Sequence, residues 1–282
     1  MSITRFQTLA CPLDGAPLQS DGTTWRCAVG HSFDIASQGY TNLLPVQNKR
    51  SRDPGDSKEM VAARRRFLTT GFYQPIAAAI IQSVHANLTT SAIASCLDAG
   101  CGEGYYLRQL AATIRDEQAL ALLGLDISKW AVLSAAKQDK RPNWIVGSNA
   151  NLPVQSGTLD QVLCIFGFPV YAEFARVLKP GGQLLQVDAG PDHLRELREI
   201  IYPTLKPERS ADRQVPQGFC RLPAETVRFS LDLTSPEQIA DLLAMTPHLY
   251  RANAEGRAKA AALTTLSLSV DVRLASFERD ND

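Results

Sequence analysis

Along this chain apolar residues gather in short runs, separated by longer stretches where apolar and polar positions recur at helical spacing. Residues 93–98, 120–126, 144–147, 160–166 and 183–187 are the apolar runs and read as buried strands. Helices are predicted near 105–115, 128–140 and 170–178. Strand and helix in alternation predict an α/β fold around a mostly parallel sheet. Beyond a less regular stretch from 203 to 223, residues 226–233 and 266–275 alternate apolar with polar positions. They read as a sixth and a seventh strand, one of them antiparallel, with helices at 236–244 and 254–263 between them.

The first strand ends in Asp98-Ala99-Gly100-Cys101-Gly102-Glu103-Gly104, and Tyr105 opens the next helix. Three glycines at alternate positions make a tight turn whose backbone approaches a ligand with no Cβ in the way. The second strand ends in Asp126. In a doubly wound sheet neighbouring strand ends line one crevice, and a carboxylate there is placed to accept the hydroxyls of a ribose. Dinucleotide sites use G-x-G-x-x-G, with the pyrophosphate at a helix N-terminus. Here the spacing is G-x-G-x-G with acids at 98 and 103, which would repel a pyrophosphate but suit a cationic sulfonium. The segment resembles motif I of class I S-adenosylmethionine-dependent methyltransferases. Arg176-Val177-Leu178-Lys179-Pro180-Gly181-Gly182 and the run after it resemble the turn and fifth strand of such enzymes.

Residues 1–46 read differently. Cys11-Pro12-Leu13-Asp14 precedes an Asp21-Gly22 turn flanked by Leu18 and Trp25, and Cys27-Ala28-Val29-Gly30-His31 follows. Two ligand-type pairs at the base of a hairpin are how small zinc ribbons close a tetrahedral site, and metal would supply much of the folding energy of so small a module. Cys11, Cys27 and His31 are three good Zn2+ ligands. Asp14 stands where C-x-x-C spacing gives cysteine. Three readings stay open: Asp14 as the fourth ligand, a ribbon without metal, or a fourth ligand that is water or lies elsewhere.

At 282 residues the chain accommodates one large α/β domain and a small accessory module. No apolar run approaches the ~18 residues of a membrane span, and the N-terminus has no apolar segment of the signal-peptide kind. A cytoplasmic protein is expected. Its six cysteines are then free thiols, ligands or core residues. Cys96 and Cys164 in apolar strands, and Cys101 in the glycine loop, read as small buried hydrophobes.

A wider resemblance rests on Gly39-Tyr40-Thr41-Asn42-Leu43-Leu44-Pro45-Val46-Gln47 and on Lys49-Arg50-Ser51-Arg52-Asp53-Pro54-Gly55-Asp56-Ser57-Lys58-Glu59-Met60. Ala63-Arg64-Arg65 with Phe67-Leu68, Gly71-Phe72-Tyr73-Gln74-Pro75, and the glycine loop through Tyr106 extend it. The chain resembles the bacterial 23S ribosomal RNA guanine-N1 methyltransferases from Cys11 to about Pro247. The resemblance implies a Rossmann-like class I methyltransferase domain at 61–282 that binds S-adenosyl-L-methionine. It also implies a zinc-ribbon-like RNA-recognition module at 1–46, a basic linker at 47–60, a 23S RNA hairpin as substrate and a homodimer. In that family Tyr73 and His193 would close over the cofactor. Asp14, where the family has cysteine, is the departure.

Net charge is zero, so no global basic field advertises nucleic acid. Between Lys49 and Arg66, however, seven basic residues face three acidic ones, a patch able to contact phosphate. Lys49, Arg50 and Arg52 are the expected RNA contacts; the plainer reading is a solvated linker and helix face with Arg65 or Arg66 paired to an acid. The candidate cofactor residues are Asp98, Gly100, Cys101, Gly102, Glu103, Gly104, Tyr105 and Tyr106 on and after the loop, and Asp126 with Ile127 beside the adenine. Asn149 and Ala150 stand where the adenine edge is recognised, or in a plain turn. Phe166-Gly167-Phe168-Pro169 offers aromatic faces for an extruded base but no carboxylate, and Asp188 and His193 are candidate proton acceptors. Two alternatives remain at this point: a small-molecule methyltransferase with the ribbon as a lid, and a non-catalytic RNA-binding relative.

Overall fold

The computed structural model describes residues 3–48, 51, 53–87, 93–114, 119–205 and 215–281. Five short strands come first: β1 (Ile3–Thr4), β2 (Gln19–Ser20), β3 (Thr24–Arg26), β4 (Ser32–Asp34) and β5 (Tyr40–Asn42). Helices α1 (Lys58–Thr69) and α2 (Gln74–Ala86) follow. Next come β6 (Ala94–Ala99), α3 (Tyr105–Thr113), β7 (Leu120–Asp126), α4 (Lys129–Gln138), β8 (Asn143–Val146), β9 (Leu159–Ile165), α5 (Tyr171–Val177) and β10 (Leu178–Ala189). The chain closes with α6 (Arg195–Ile201), β11 (Phe219–Arg221), β12 (Glu225–Leu233), α7 (Pro236–Met245), α8 (His248–Arg251), α9 (Ala254–Ala261) and β13 (Leu266–Arg279).

The sequence predictions for β6 to β10, β12 and β13 hold to within a few residues, apart from the start of β10. The large sheet runs β11-β13-β10-β9-β6-β7-β8-β5, with β12 also on β13 and β1 on β7. Strands β5 to β10 are parallel where they pair, and β13 is the antiparallel one, flanked by β10 on one side and by β11 and β12 on the other. β6 and β7 are buried on both faces, under α2, α3 and α4 on one and under the ribbon and α5 on the other. The Pro-Gly-Gly stretch lies inside β10 rather than before it. There the pairing to β9 breaks between Leu178 and Gln183, and a Cβ on Gly182 would stand 2.9 Å from the Lys179 carbonyl oxygen.

Helices α1 and α2 went unread in the sequence. Ser57 caps α1, its hydroxyl accepting from the Met60 amide, and Val61, Phe67 and Leu68 face the core. In α2 the buried Ile76, Ile80 and Val84 repeat every fourth residue behind a Pro at its start. Part of the irregular stretch, Phe219–Arg221, is the strand β11.

The Asp21-Gly22 hairpin is present, with Ser20 opposite Trp25 and the Asp21 carboxylate accepting from the Thr23 and Thr24 amides at 2.9 and 2.8 Å. Its module is packed on the large domain. Phe6, Leu9, Leu18 and Trp25 share one apolar cluster with Leu97, Leu123, Leu125 and Phe174. The Ala10 amide donates to the Pro153 carbonyl at 2.9 Å, and β5 adds a parallel strand to β8. Among the described residues no helix is long and apolar enough to cross a membrane.

Candidate cofactor crevice and metal centre

Gly100, Gly102 and Gly104 all have positive φ, at 98°, 55° and 81°, so the loop after β6 takes a path closed to most side chains. Trp144 holds the loop from below. Its fully buried indole fills the space where Gly104 and Gly124 lack a Cβ: an added carbon would lie 2.6 and 2.3 Å from the ring. A Cβ on Gly100, by contrast, would meet nothing within 4 Å. The Gly100 and Cys101 amides donate to the Leu125 carbonyl at 2.8 and 2.9 Å, which ties the loop to the end of β7.

Asp126 completes that tie. One carboxylate oxygen accepts from the Gly102 amide at 2.9 Å and the other from the Ser128 amide at 2.8 Å. Burial raises its pKa against the lowering effect of those two amides. Asp98 is 1% exposed, and burial, then the neighbouring Asp126, push its carboxyl up to about 7. Its Oδ1 has no hydrogen-bond partner, and neither do Asn149 Oδ1 and His193 Nδ1. These are three of the five orphaned buried side-chain atoms among the described residues: Asp98 lies in the last two residues of β6, and Asn149 and His193 follow the C-terminal ends of β8 and β10. An elongated ligand carrying an amine and hydrogen-bonding groups satisfies such atoms, so this crevice fits S-adenosylmethionine.

Tyr73 and His193, expected over the cofactor, are together with Phe166. The Tyr73 hydroxyl is 3.4 Å from His193 Nε2, and the His193 ring stacks on Phe166 with centroids 5.9 Å apart. Burial raises the Tyr73 pKa and, with nearby positive groups, lowers that of His193 to about 4, so the imidazole is neutral at pH 7. Phe166 has a φ of +51°, and Phe168, two residues on, is 86% exposed. Asn149 sits in a turn that the Asn151 amide closes on the Ser148 carbonyl at 3.2 Å, and its side chain donates to the Ala99 and Phe168 carbonyls at 3.3 and 3.5 Å, linking the end of β6 to the stretch after β9. Ala150 is exposed, its amide on Ser148 Oγ.

Other candidates have different surroundings. The Glu103 carboxylate is 1% exposed and held by Arg108 at 3.1 Å and Gln138 at 2.7 Å, which locks the loop to α3 and α4. Buried Tyr105 reaches Gln74 at 3.4 Å and meets Tyr106 edge to face, and Asp188 accepts from Gln186 at 2.6 Å. Cys96, Cys101 and Cys164 are buried thiols whose pKa values burial raises.

Residues 53–56, read from sequence only as part of a basic linker, pack against the end of β7 beside this crevice. A Cβ on Gly55 would meet Ile127 and Ser128 at 2.9 Å, and the Ser128 hydroxyl donates to the Asp56 carbonyl at 2.7 Å. Asp53, Pro54, Ile127 and Trp130 line one groove with Leu44 and Val146. Lys49, Arg50 and Arg52 lie outside the described residues. Of the following cations, Arg64 pairs with Asp56 and Arg66 with Asp241, while Arg65 is exposed. Two arginines of the patch are thus engaged within the protein.

In the ribbon, Cys11, Asp14, Cys27 and His31 bring one ligand atom each to within 4.8 Å of one another. His31 Nδ1 lies 3.5 Å from Cys11 Sγ, 3.4 Å from Cys27 Sγ and 2.9 Å from Asp14 Oδ2, and Cys27 Sγ is 3.3 Å from the same oxygen. Tetrahedral zinc with bonds of 2.0–2.3 Å spaces its ligands by roughly 3.3–3.8 Å; the three spacings that involve a sulfur match this and the His31–Asp14 pair is closer, so the donor set fits the ion once those two atoms part slightly. Turns at Gly15 and Gly30, with φ of 76° and 103°, make the two ligand-bearing knuckles. Asp14 Oδ1 accepts from the Ala16 amide at 2.8 Å, which orients the carboxylate and leaves Oδ2 to the centre. Contacts led by that amide lower the Asp14 pKa to about 2.

A family model described as "RlmA, N-terminal", a zinc ribbon, matches residues 9–52, and one described as "Methyltransferase domain" matches residues 96–182. The chain is 36% identical to a 23S rRNA (guanine(748)-N(1))-methyltransferase of Streptomyces fradiae, over 68% of this chain and 67% of that one. It is 34% identical to a Micromonospora griseorubida protein provisionally named 23S rRNA (guanine-N(1)-)-methyltransferase, over 95% of this chain and 96% of that one. A Bacillus subtilis protein with the same provisional name is 32% identical over 95% of both chains. The chain therefore belongs to the 23S rRNA (guanine-N1)-methyltransferase family, as a class I S-adenosylmethionine-dependent methyltransferase fold with an N-terminal zinc ribbon.

Proposed function

We propose that this chain transfers a methyl group from S-adenosylmethionine to N1 of a guanine in a hairpin of 23S ribosomal RNA. The likeness to two family members over 95% of the chain, ribbon included, carries the proposal. A small-molecule methyltransferase accounts for neither the ribbon nor that coverage.

The cofactor supplies a methyl already activated on a sulfonium sulfur, so the protein has to position the reactants and exclude water. Gly100 and Gly102 present backbone to the methionine portion, and Asp98 faces its amino group. Asp126 holds the ribose, with Ile127 and Asn149 at the adenine. Tyr73 and His193 wall the crevice, and Glu103 stabilises the loop through Arg108 and Gln138. The exposed Phe168 ring is a stacking face for the extruded guanine.

Cys11, Asp14, Cys27 and His31 hold zinc. The division of labour follows the chain: residues 1–46 recognise the hairpin, the basic linker 47–60 contacts its phosphates, and residues 61–282 carry out transfer. A ribosomal RNA substrate places the protein in the cytoplasm, and the assembly proposed on family likeness is a homodimer, which sedimentation measures. N1-methylation blocks the base-pairing edge of guanine. Expression of this chain in a strain lacking its own enzyme should therefore create a strong reverse-transcription stop at one guanine of 23S RNA, and no new stop would count against the proposal.

A further inference from the structure

Among the described residues only two that are not glycine have positive φ: Phe166 at +51° and Leu194 at +52°. One carries the ring on which His193 stacks; the other is the residue after His193. Backbone strain of this kind persists only where the surroundings over-determine it. What fixes the loop after β10 is found on β13. The Gly190 amide donates to the Asp271 carbonyl at 2.8 Å, the Asp192 amide to Asp271 Oδ2 at 3.2 Å, and the Leu194 amide to the Ser269 carbonyl at 2.8 Å. Arg198, on α6, donates to the Pro191 and His193 carbonyls at 2.7 and 3.2 Å.

Asp271 is the unexpected member. It is 2% exposed between the buried Val270 and Val272, at a strand position where an apolar residue would serve stability as well. Its Oδ1 accepts from Arg228 Nε on β12 at 2.9 Å. Its carboxylate lies so close to the loop that a Cβ on Gly190 would stand 2.3 Å from Oδ2.

We propose that Asp271, neutralised by Arg228, is a positioning residue for methyl transfer: its carboxylate fixes the 190–193 loop so that the His193 ring stands against Phe166 and Tyr73 at the cofactor crevice. The two antiparallel strands at the sheet edge thereby reach the reaction centre without touching a reactant. This rests on the methyltransferase reading.

The test compares Asp271→Ala, Asp271→Asn and Gly190→Ala in the full chain. Readouts are melting temperature, the NMR signals of the His193 ring, the dissociation constant for S-adenosylmethionine, and kcat and KM on 23S RNA. Asp271→Ala should move the His193 signals, weaken cofactor binding and lower kcat by about tenfold or more, as loss of alignment does. Asp271→Asn, which still accepts from the Asp192 amide, should recover most of each. Gly190→Ala should reproduce the defect, and adding Asp271→Ala should worsen it no further, since the collision is with the carboxylate. Unchanged His193 signals, affinity and kcat beside a lowered melting temperature would make Asp271 a stability residue and overturn the proposal. If Asp271→Ala does not fold, Asp271→Asn and Gly190→Ala carry the test: a shift in Gly190→Ala, smaller in Asp271→Asn, supports the role, and wild-type readouts in both overturn it. If the wild-type protein methylates no RNA, the RNA reading fails, while the ring signals and cofactor affinity still decide on Asp271.

Discussion

Asp126 and Gly102 are joined by a 2.9 Å hydrogen bond from the loop amide to the carboxylate, so the acid at the end of β7, proposed to hold the ribose, also shapes the glycine loop. Asp126→Ala should therefore weaken S-adenosylmethionine binding by about 1.5–3 kcal/mol, the scale for hydrogen bonds to a charged group, and lower the melting temperature too. Asp126→Asn keeps an acceptor for the Gly102 amide and should restore stability more than affinity. Calorimetry alongside thermal melts separates the two effects; equal recovery of both would mean that the loop tie accounts for the whole effect.

Asp98, with a pKa near 7 from burial, gives a pH signature. A cationic ligand beside it favours the ionised form, so cofactor binding near pH 7 should release protons, and affinity should rise from pH 6 to 8. Calorimetry in buffers of different ionisation enthalpy measures the release, which Asp98→Asn should abolish. For stability the sign is the reverse. The folded state binds more protons at this acid than the unfolded chain between about pH 4 and 7, so its contribution falls as pH rises through that window. His193 and His248, each lowered to about 4 mainly by burial, lose stability as pH falls from 6.5 towards 4. Stability of Asp98→Asn should therefore drop more simply on acidification than that of wild type.

Asp14 sets the behaviour of the ribbon. It carries the same charge as a cysteine thiolate but is a harder donor, so the site should hold zinc more weakly than a site with only nitrogen and sulfur ligands. Protein purified without chelator should contain about one zinc per chain. Chelator should remove the metal readily, Asp14→Cys should slow that loss, and Cys27→Ser should prevent binding. Because the module shares a core with Leu97 and Leu123, metal removal should lower the melting temperature without unfolding the large domain. No zinc after anaerobic reconstitution would mean that packing alone maintains the ribbon.

The linker cations are tested through salt. Replacing Lys49, Arg50 and Arg52 together by alanine should weaken RNA binding and reduce the slope of log K against log salt by about 2–3, with cofactor affinity nearly unchanged. An unchanged slope would make 47–60 a connector only.

The parallel sheet was legible because strands buried on both faces leave uninterrupted apolar runs, and the glycine loop because only glycine follows its path. The ribbon cluster of Cys11, Asp14, Cys27 and His31 was legible because spacing along a hairpin is spacing in space. Other features depend on distant partners. Arg64 and Arg66 look like patch residues until Asp56 and Asp241 are found beside them. Glu103 looks like a ligand residue until Arg108 and Gln138 enclose it. β1 and β5, of two and three residues, are too short to show a period, and they join the large sheet only because the ribbon packs there. The strain at Phe166 and Leu194 leaves no trace in residue type.

The most direct measurement of the central claim is transfer of a labelled methyl group from S-adenosylmethionine to unmethylated 23S RNA by the purified protein, followed by nuclease digestion and identification of the labelled nucleoside. The expected product is 1-methylguanosine from a single hairpin position, at a level that Asp126→Ala sharply reduces. Label on another atom or another base, or none on RNA while cofactor is bound, would contradict it.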